Sequence, residues 1–99
     1  MYKLKHLLSA QDLSREDIYD FIGLAREFKA LNRSDVKKSD SLRGKTVINA
    51  FFENSTRTRT SFEIAAKRLG ADSVNFTAAD SSTKKGETLI DTIRNMQAM

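Results

Sequence analysis

Two short apolar segments with a helix pattern between them constrain the fold of this 99-residue chain more than any other feature. Residues 46–52, TVINAFF, are rich in β-branched and aromatic side chains, and residues 73–77, SVNFT, resemble them. Four apolar residues between the two segments recur at helical spacing: Phe62, Ala65, Ala66 and Leu69. Gly70 then follows as a helix-ending residue. Strand, helix and strand within about thirty residues predict a βαβ unit with a right-handed crossover.

Two further helices flank this unit. Residues 15–31 carry an apolar stripe at helical spacing after Ser14, a good N-cap residue: Ile18, Phe21, Ile22, Ala25 and Phe28. A polar connection over residues 32–45 leads into the first strand, which lacks polar alternation and is therefore expected to be covered on both faces. A third helix is predicted by Leu89, Ile93 and Met96. The order, helix then βαβα, predicts an α/β fold with a partial doubly wound parallel sheet.

A sheet of two strands is too small for the helices around it. Two strands form a marginal sheet, and they cannot cover the apolar faces of three helices. We therefore expect residues 1–99 to be the front part of a larger domain, whose other strands lie beyond Met99 or in another chain. Alone, the segment is expected to expose a strand edge and apolar helix faces.

Composition excludes several classes of function. The chain has no cysteine and a single histidine, His6, so neither a disulfide framework nor a zinc site is expected. No apolar run is long enough for a signal peptide or a membrane span, and we expect a cytoplasmic protein. The net charge of +4 is small and the signs are mixed, which argues against nucleic-acid binding. A small anionic ligand needs only a local positive site.

Residues 55–58, STRT, form what we call the hydroxyl turn, between the first strand and the second helix. In open α/β sheets, ligands bind at the carboxyl ends of strands, where the N-terminus of a helix offers unpaired N–H groups to an anion. Ser55, Thr56 and Thr58 add hydroxyl donors. Arg57 adds a forked cation that suits two phosphate oxygens. These residues predict a phosphate site, but an ordinary serine cap fits the same letters, so chemistry alone leaves both interpretations open.

Residues 51–72, FFENSTRTRTSFEIAAKRLGAD, resemble the signature of the aspartate and ornithine carbamoyltransferases, whose S-T-R-T-R turn binds the phosphate of carbamoyl phosphate. Residues 12–18, 43–53 and 81–92 resemble the aspartate branch, so the resemblance covers nearly all of the chain. It implies that residues 1–99 are an incomplete carbamoyl-phosphate-binding domain. The aspartate-binding domain is absent from this sequence, and the segment alone is expected to be inactive.

The resemblance also implies an activity. The family's aspartate branch transfers the carbamoyl group of carbamoyl phosphate to L-aspartate, giving N-carbamoyl-L-aspartate and phosphate in pyrimidine biosynthesis, without cofactor or metal. Ser55, Thr56, Arg57 and Thr58 would bind the phosphate. Of these, Thr58 would also lie near the carbonyl oxygen, and Arg57 would offset charge on the leaving phosphate, which gives both a catalytic role.

Further residues acquire roles only through the resemblance. Ser81 and Lys85 would reach the active site of an adjacent subunit, where Lys85 contacts phosphate and aspartate. Shared sites imply a cyclic homotrimer, with or without regulatory or dihydroorotase subunits. Lys84 could share the role of Lys85, and Glu87 would orient an arginine. Arg59 is interpreted as a member of a structural ion pair.

Three alternatives stay open at this point. An ornithine-type or other carbamoyltransferase would share the hydroxyl turn, although residues 85–87, KGE, favour the aspartate branch. A non-catalytic remnant could retain phosphate binding or an oligomer surface without turnover. A nucleic-acid module would require a steep salt dependence of binding.

Overall fold

The computed structural model describes residues 4–77 and 88–99, with the backbone alone for Thr77, and the chain divides into two units after Lys37. The first unit contains a short 3-10 helix, Ala10–Asp12, and helix α1, Arg15–Arg33. The second unit contains four elements in chain order: β1 (Thr46–Phe51), α2 (Thr56–Arg68), β2 (Asp72–Thr77) and α3 (Leu89–Ala98). The predicted order of a helix followed by βαβα is confirmed.

Helix α1 begins with a reciprocal cap. The Ser14 hydroxyl accepts a hydrogen bond from the Asp17 N–H at 3.1 Å, and the Asp17 carboxylate accepts one from the Ser14 N–H at 2.9 Å. The prediction that Ser14 caps this helix is confirmed. The helix continues two residues past the predicted end, because it stops only at Ser34, whose hydroxyl and N–H both donate to the Leu31 carbonyl. No residue of α1 is buried, so its apolar stripe is half-exposed within the described chain.

Strands β1 and β2 pair in parallel, with Thr46 opposite Asp72 and Phe51 opposite Thr77. Helix α2 contacts both strands and covers one face of the pair. The rings of Phe51 and Phe62 meet there with centroids 6.0 Å apart, and Ala66 is 4% exposed. The expectation that β1 is covered on both faces is met only in part, because on the face opposite α2 Ile48 is half-buried and Ala50 is exposed. The handedness of the crossover stays a prediction.

The carboxyl end of α2 is closed by backbone hydrogen bonds. Gly70 adopts a positive φ of 85°, as a glycine after a helix often does, and its N–H donates to the Lys67 carbonyl at 3.1 Å. The Ala71 N–H donates to the Ala66 carbonyl at 3.0 Å, which completes the Schellman arrangement. The predicted role of Gly70 is therefore confirmed.

The connection before β1 also bonds to this end of α2. The Ser39 N–H donates to the Arg68 carbonyl at 2.7 Å, and the Leu42 N–H donates to the Leu69 carbonyl at 2.8 Å. The Lys38 ammonium donates to the Lys67 carbonyl at 2.9 Å, which places a cation at the negative end of the helix dipole. The connection thus anchors α2 from its C-terminal side.

Candidate functional site

The hydroxyl turn lies at the carboxyl end of β1, where residues 52–55 carry the chain from the strand into α2. The Ser55 N–H donates to the Glu53 carbonyl at 2.9 Å, which bends this connection. Beside it, the rings of Phe52 and Phe76 meet edge to face with centroids 5.8 Å apart. Phe76 is 5% exposed. The carboxyl ends of the two strands, next to the turn, are therefore in contact through this aromatic pair.

Ser55 occupies the N-cap position of α2, but its side chain makes no capping hydrogen bond. Its backbone has φ −128° and ψ 77°, and its carbonyl accepts the Arg59 N–H at 3.0 Å. The geometry of an α-helix leaves the N–H groups of residues 56–58 without partners inside the helix. The Ser55 hydroxyl and these three N–H groups are thus available to a ligand at the N-terminus of α2.

The other two helices begin differently, although each also has a hydroxyl residue at its N-cap. The Ser14 hydroxyl accepts the Asp17 N–H at the start of α1, and the Thr88 hydroxyl accepts the Asp91 N–H at 3.1 Å at the start of α3. Ordinary serine capping, the alternative interpretation of the hydroxyl turn, is therefore present at Ser14 and absent at Ser55. This difference favours a ligand site at the start of α2.

The charged residues in the first turn also distinguish α2 from α1 and α3. The first turn of α1 contains Glu16 and Asp17 and that of α3 contains Asp91, which complement the positive end of each helix dipole. The first turn of α2 contains no acidic residue, and Arg57 lies there instead. A cation at this end of a helix costs about 0.3–1 kcal/mol, which a bound anion would offset.

The side chains of the turn are accessible. Thr56, Arg57 and Thr58 are exposed, and Ser55 is half-buried. The Arg57 carbonyl accepts the Ser61 hydroxyl at 2.9 Å, a bond that lies within the helix and does not involve the guanidinium. The four residues can therefore present hydroxyl, guanidinium and backbone donors to one oxyanion.

Arg59 was predicted to form a structural ion pair. Its Nε atom is buried and has no hydrogen-bond partner in the described part of the chain. Its charge acts on Glu63, one turn later, as the least of four influences that lower the pKa of that carboxyl: the hydrogen bond from Asn75 comes first, and the hydrogen bond and the charge of Lys67 come next. Among the described residues only this Coulombic interaction is found, and the ion pair stays a prediction.

A chain of polar side chains beneath α2 was not predicted from the sequence. Asn49 is 6% exposed on β1, and its amide donates at 3.3 Å to both Ser73 and Asn75 on β2. The Asn75 amide donates to Glu63 at 2.9 Å, and the Lys67 ammonium donates to the other Glu63 oxygen at 3.0 Å. One signal was available, because Asn49 and Asn75 are each the fourth residue of their strands.

Several predicted residues cannot be located. Ser81, Lys84, Lys85 and Glu87 lie outside the described residues. Among residues 4–77 and 88–99, no three histidine, aspartate or glutamate side chains form a group that could hold a metal ion. None of the helices in these same ranges combines the length and apolar character needed to cross a membrane.

Comparison with known proteins assigns the chain to a family. The chain is 72% identical over 98 residues to the aspartate carbamoyltransferase catalytic subunit of Campylobacter hominis, a match that covers 99% of this chain and 32% of that protein. It resembles the aspartate transcarbamoylase of Trypanosoma cruzi in complex with carbamoyl phosphate and aspartate, with a TM-score of 0.84, 42% identity and coverage of 95% of this chain and 29% of that one.

A second solved structure agrees. The catalytic subunit of M. jannaschii aspartate transcarbamoylase matches with a TM-score of 0.80 and 42% identity, covering 96% of this chain and 31% of that one. The chain thus spans about a third of the length of these relatives. The family described as aspartate/ornithine carbamoyltransferase, carbamoyl-P binding domain, matches residues 5–99. The chain belongs to this carbamoyltransferase family, and its α/β architecture is consistent with the family's carbamoyl-phosphate-binding domain.

Proposed function

We propose that this chain forms the phosphate-binding part of an aspartate carbamoyltransferase catalytic subunit. In the complete protein, the carbamoyl group of carbamoyl phosphate is transferred to the α-amino group of L-aspartate. The products are N-carbamoyl-L-aspartate and phosphate, which serve pyrimidine biosynthesis in the cytoplasm. Support for the acceptor comes from the names of the relatives and from the ligands in the Trypanosoma cruzi structure.

One observation carries the proposal: α2 begins with an N-cap serine whose hydroxyl is not used by the helix. Ser55 makes no side-chain capping bond, whereas Ser14 and Thr88 do. The first turn of α2 also carries Arg57 where the other helices carry carboxylates. A dianionic phosphate would satisfy the free donors and offset the charge of both the guanidinium and the helix dipole.

The chemistry at this site would be positioning and electrostatic stabilisation. The aspartate amine attacks the carbamoyl carbon, a C–N bond forms, and an oxyanion develops on the former carbonyl oxygen. The carbonyl then re-forms, phosphate leaves with the electrons of the broken C–O bond, and it takes up the proton that the amine nitrogen loses. Thr58 would donate to the oxyanion, and Arg57 would stabilise the growing charge on the phosphate.

The site is proposed to be completed by residues outside the described ranges. Ser81 and Lys85 would enter from an adjacent subunit and contact phosphate and aspartate. The proposed sharing uses a head-to-tail interface, which closes as a ring in a cyclic homotrimer. Association with regulatory or dihydroorotase subunits remains a separate question, which the mass of the complex in native extract would answer.

The acceptor is tested with the complete natural protein that contains these residues. Carbamoyl phosphate labelled with ¹⁴C is incubated with L-aspartate, L-ornithine or neither, and labelled products are separated. We expect label in N-carbamoyl-L-aspartate. Label in citrulline would establish the ornithine-type alternative. Absence of transfer to both amines, together with retained phosphate binding, would establish the non-catalytic alternative.

A further inference from the structure

Helix α2 is held in place by apolar contacts, which do not depend on direction, and by hydrogen bonds, which do. Its apolar contacts include the ring of Phe62, which meets Phe51 but is 57% exposed, and the small side chain of Ala66. Apolar contacts are non-directional and tolerate rotation of a helix about its axis. Its polar contacts are the backbone hydrogen bonds at its C-terminal end and, nearer the hydroxyl turn, the hydrogen bond from the Asn75 amide to the Glu63 carboxylate at 2.9 Å.

The hydrogen bonds run in one direction, from Asn49 through Asn75 to Glu63. Asn49 donates through its amide nitrogen to the oxygen of Asn75, so the Asn75 amide has its nitrogen free for Glu63. An ionised carboxylate only accepts hydrogen bonds, and Lys67 donates to its second oxygen. Since Asn49 is buried and also bonded to Ser73, the orientation of Asn75 is fixed by both strands.

Glu63 and the hydroxyl turn lie on the same helix, so a rotation of α2 at Glu63 also moves the side chains of the turn. Glu63 lies seven residues after Thr56, about 10 Å along the helix axis. Rotating a helix by about 10° moves a side-chain tip 5–6 Å from its axis by roughly 1 Å. A displacement of that size at a reacting group can reduce a rate about 100-fold.

We propose that the hydrogen bond from Asn75 to Glu63 sets the rotation of α2 on the sheet and thereby directs Arg57 and Thr58 toward the bound phosphate. Glu63 and Asn75 are positioning residues in this account, since neither belongs to the turn that contacts the ligand. The inference rests on the proposed function.

The test reverses the hydrogen bond in the complete protein. Asn75→Asp places a second acceptor against Glu63, whereas Glu63→Gln keeps an acceptor for the Asn75 amide. In the double variant, the glutamine amide donates to the new aspartate, so the bond is restored with donor and acceptor exchanged. Gln97→Glu on the exposed face of α3 adds the same charge elsewhere and serves as the control.

Three constants are measured for each variant: KM for carbamoyl phosphate, the inhibition constant of inorganic phosphate, and KM for aspartate. Asn75→Asp is expected to raise the first two at least about fivefold and to leave the third unchanged. Glu63→Gln and the control should stay near wild type, and the double variant should recover to within about twofold. Glu63→Ala removes the acceptor without adding charge and should reproduce the defect, which keeps the test valid if Asn75→Asp does not fold.

The outcomes separate this inference from the proposed function. An active wild-type enzyme whose phosphate constants are unchanged in Asn75→Asp and Glu63→Ala would overturn the positioning role, even if both variants lost thermal stability. Failure of the exchanged pair to recover would overturn it too. A wild-type protein that neither carbamoylates aspartate nor binds phosphate would instead refute the proposed function.

Discussion

The carbonyl groups of residues 66–69, at the end of α2, each accept a hydrogen bond from a residue outside the helix, whereas the first three N–H groups receive no acceptor from the N-cap side chain. At the C-terminal end, the N–H groups of Ser39, Leu42, Gly70 and Ala71 supply the donors. At the N-terminal end, Ser55 leaves its hydroxyl unused. Unbonded backbone groups at a helix end lower stability unless a cap, water or a ligand satisfies them.

The contrast assigns different tasks to the two ends. The C-terminal end holds α2 to the neighbouring backbone through its carbonyl groups. The N-terminal end keeps its donors and adds Arg57, at a cost in stability that an anion would offset. Changes at the N-terminal end should therefore alter binding and turnover, and changes at the C-terminal end should alter stability.

The largest effect is expected at Arg57. Arg57→Ala in the complete protein should lower kcat/KM for carbamoyl phosphate about 100- to 1,000-fold, because a preorganised charge beside the leaving phosphate is lost. The melting temperature should hold or rise slightly, since a cation leaves the positive end of the helix. Steady-state kinetics and thermal unfolding check both. Arg26→Ala, an exposed arginine on α1, is the matched control, and near-normal turnover in Arg57→Ala would contradict the assignment.

The next effect is expected at the opposite end of α2. Gly70→Ala should lower the free energy of unfolding by about 1–3 kcal/mol, because the residue has a positive φ of 85° and a Cβ atom would lie 2.9 Å from the Ser39 carbonyl oxygen. Gly44→Ala shares the positive φ, at 82°, but its Cβ atom would meet open space. It should cost less, about 1–2 kcal/mol. Equal denaturant midpoints for the two variants would show that the close approach at Gly70 has no energetic consequence.

Smaller effects are expected at the two N-cap serines, where one substitution should alter stability and the other should alter binding. Ser14→Ala should lower stability by about 1 kcal/mol, because a capping hydrogen bond is lost, without changing KM for carbamoyl phosphate. Ser55→Ala should change stability by less than about 0.5 kcal/mol and raise that KM several-fold. Thermal unfolding and initial-rate kinetics on both variants supply the comparison. If Ser55→Ala proves the more destabilising, then Ser55 is an ordinary cap.

The smallest effect is expected on the free energy of unfolding at acidic pH. The hydrogen bond from Asn75, followed by the bond and charge of Lys67, lowers the pKa of Glu63 in the folded protein. A lowered folded pKa stabilises the fold above the unfolded pKa of the group, and this contribution disappears as pH falls through the folded value.

The stability of the wild type relative to Glu63→Gln should therefore be constant near neutrality and decline as the pH falls below the ordinary glutamate pKa of 4.5 and through the lower folded value. Denaturant midpoints across this range measure it, with Glu27→Gln on α1 correcting for the loss of one exposed carboxylate. A difference that grows as the pH falls would have the wrong sign and would refute the interpretation.

The elements of the fold could be predicted because their signals are local. Periodicity located α1, α2 and α3, and the β-branched segments located β1 and β2. The predicted bounds of α1, β1 and β2 lie within one or two residues of the observed ones. The different use of Ser14 and Ser55 was also accessible. Asp17 follows Ser14 by three residues and completes a capping box, whereas Thr58 follows Ser55 at the same distance and offers no carboxylate.

The polar chain under α2 could not be predicted in the same way. Contact between Asn75 and Glu63 depends on how α2 is rotated over the sheet, and contact between Asn49 and Asn75 depends on strand register. Both are set by packing between elements that are distant in sequence. The resemblance to a family assigned the hydroxyl turn to phosphate binding, but it carried no information about these three side chains.

The most direct test of the account is a crystal structure of the complete protein with bound carbamoyl phosphate. The account predicts phosphate oxygens within about 3 Å of the Ser55 hydroxyl and of the N–H groups of residues 56–58, with the Arg57 guanidinium against the same phosphate. A phosphate bound elsewhere, or a Ser55 hydroxyl that caps its own helix while the ligand is present, would contradict it.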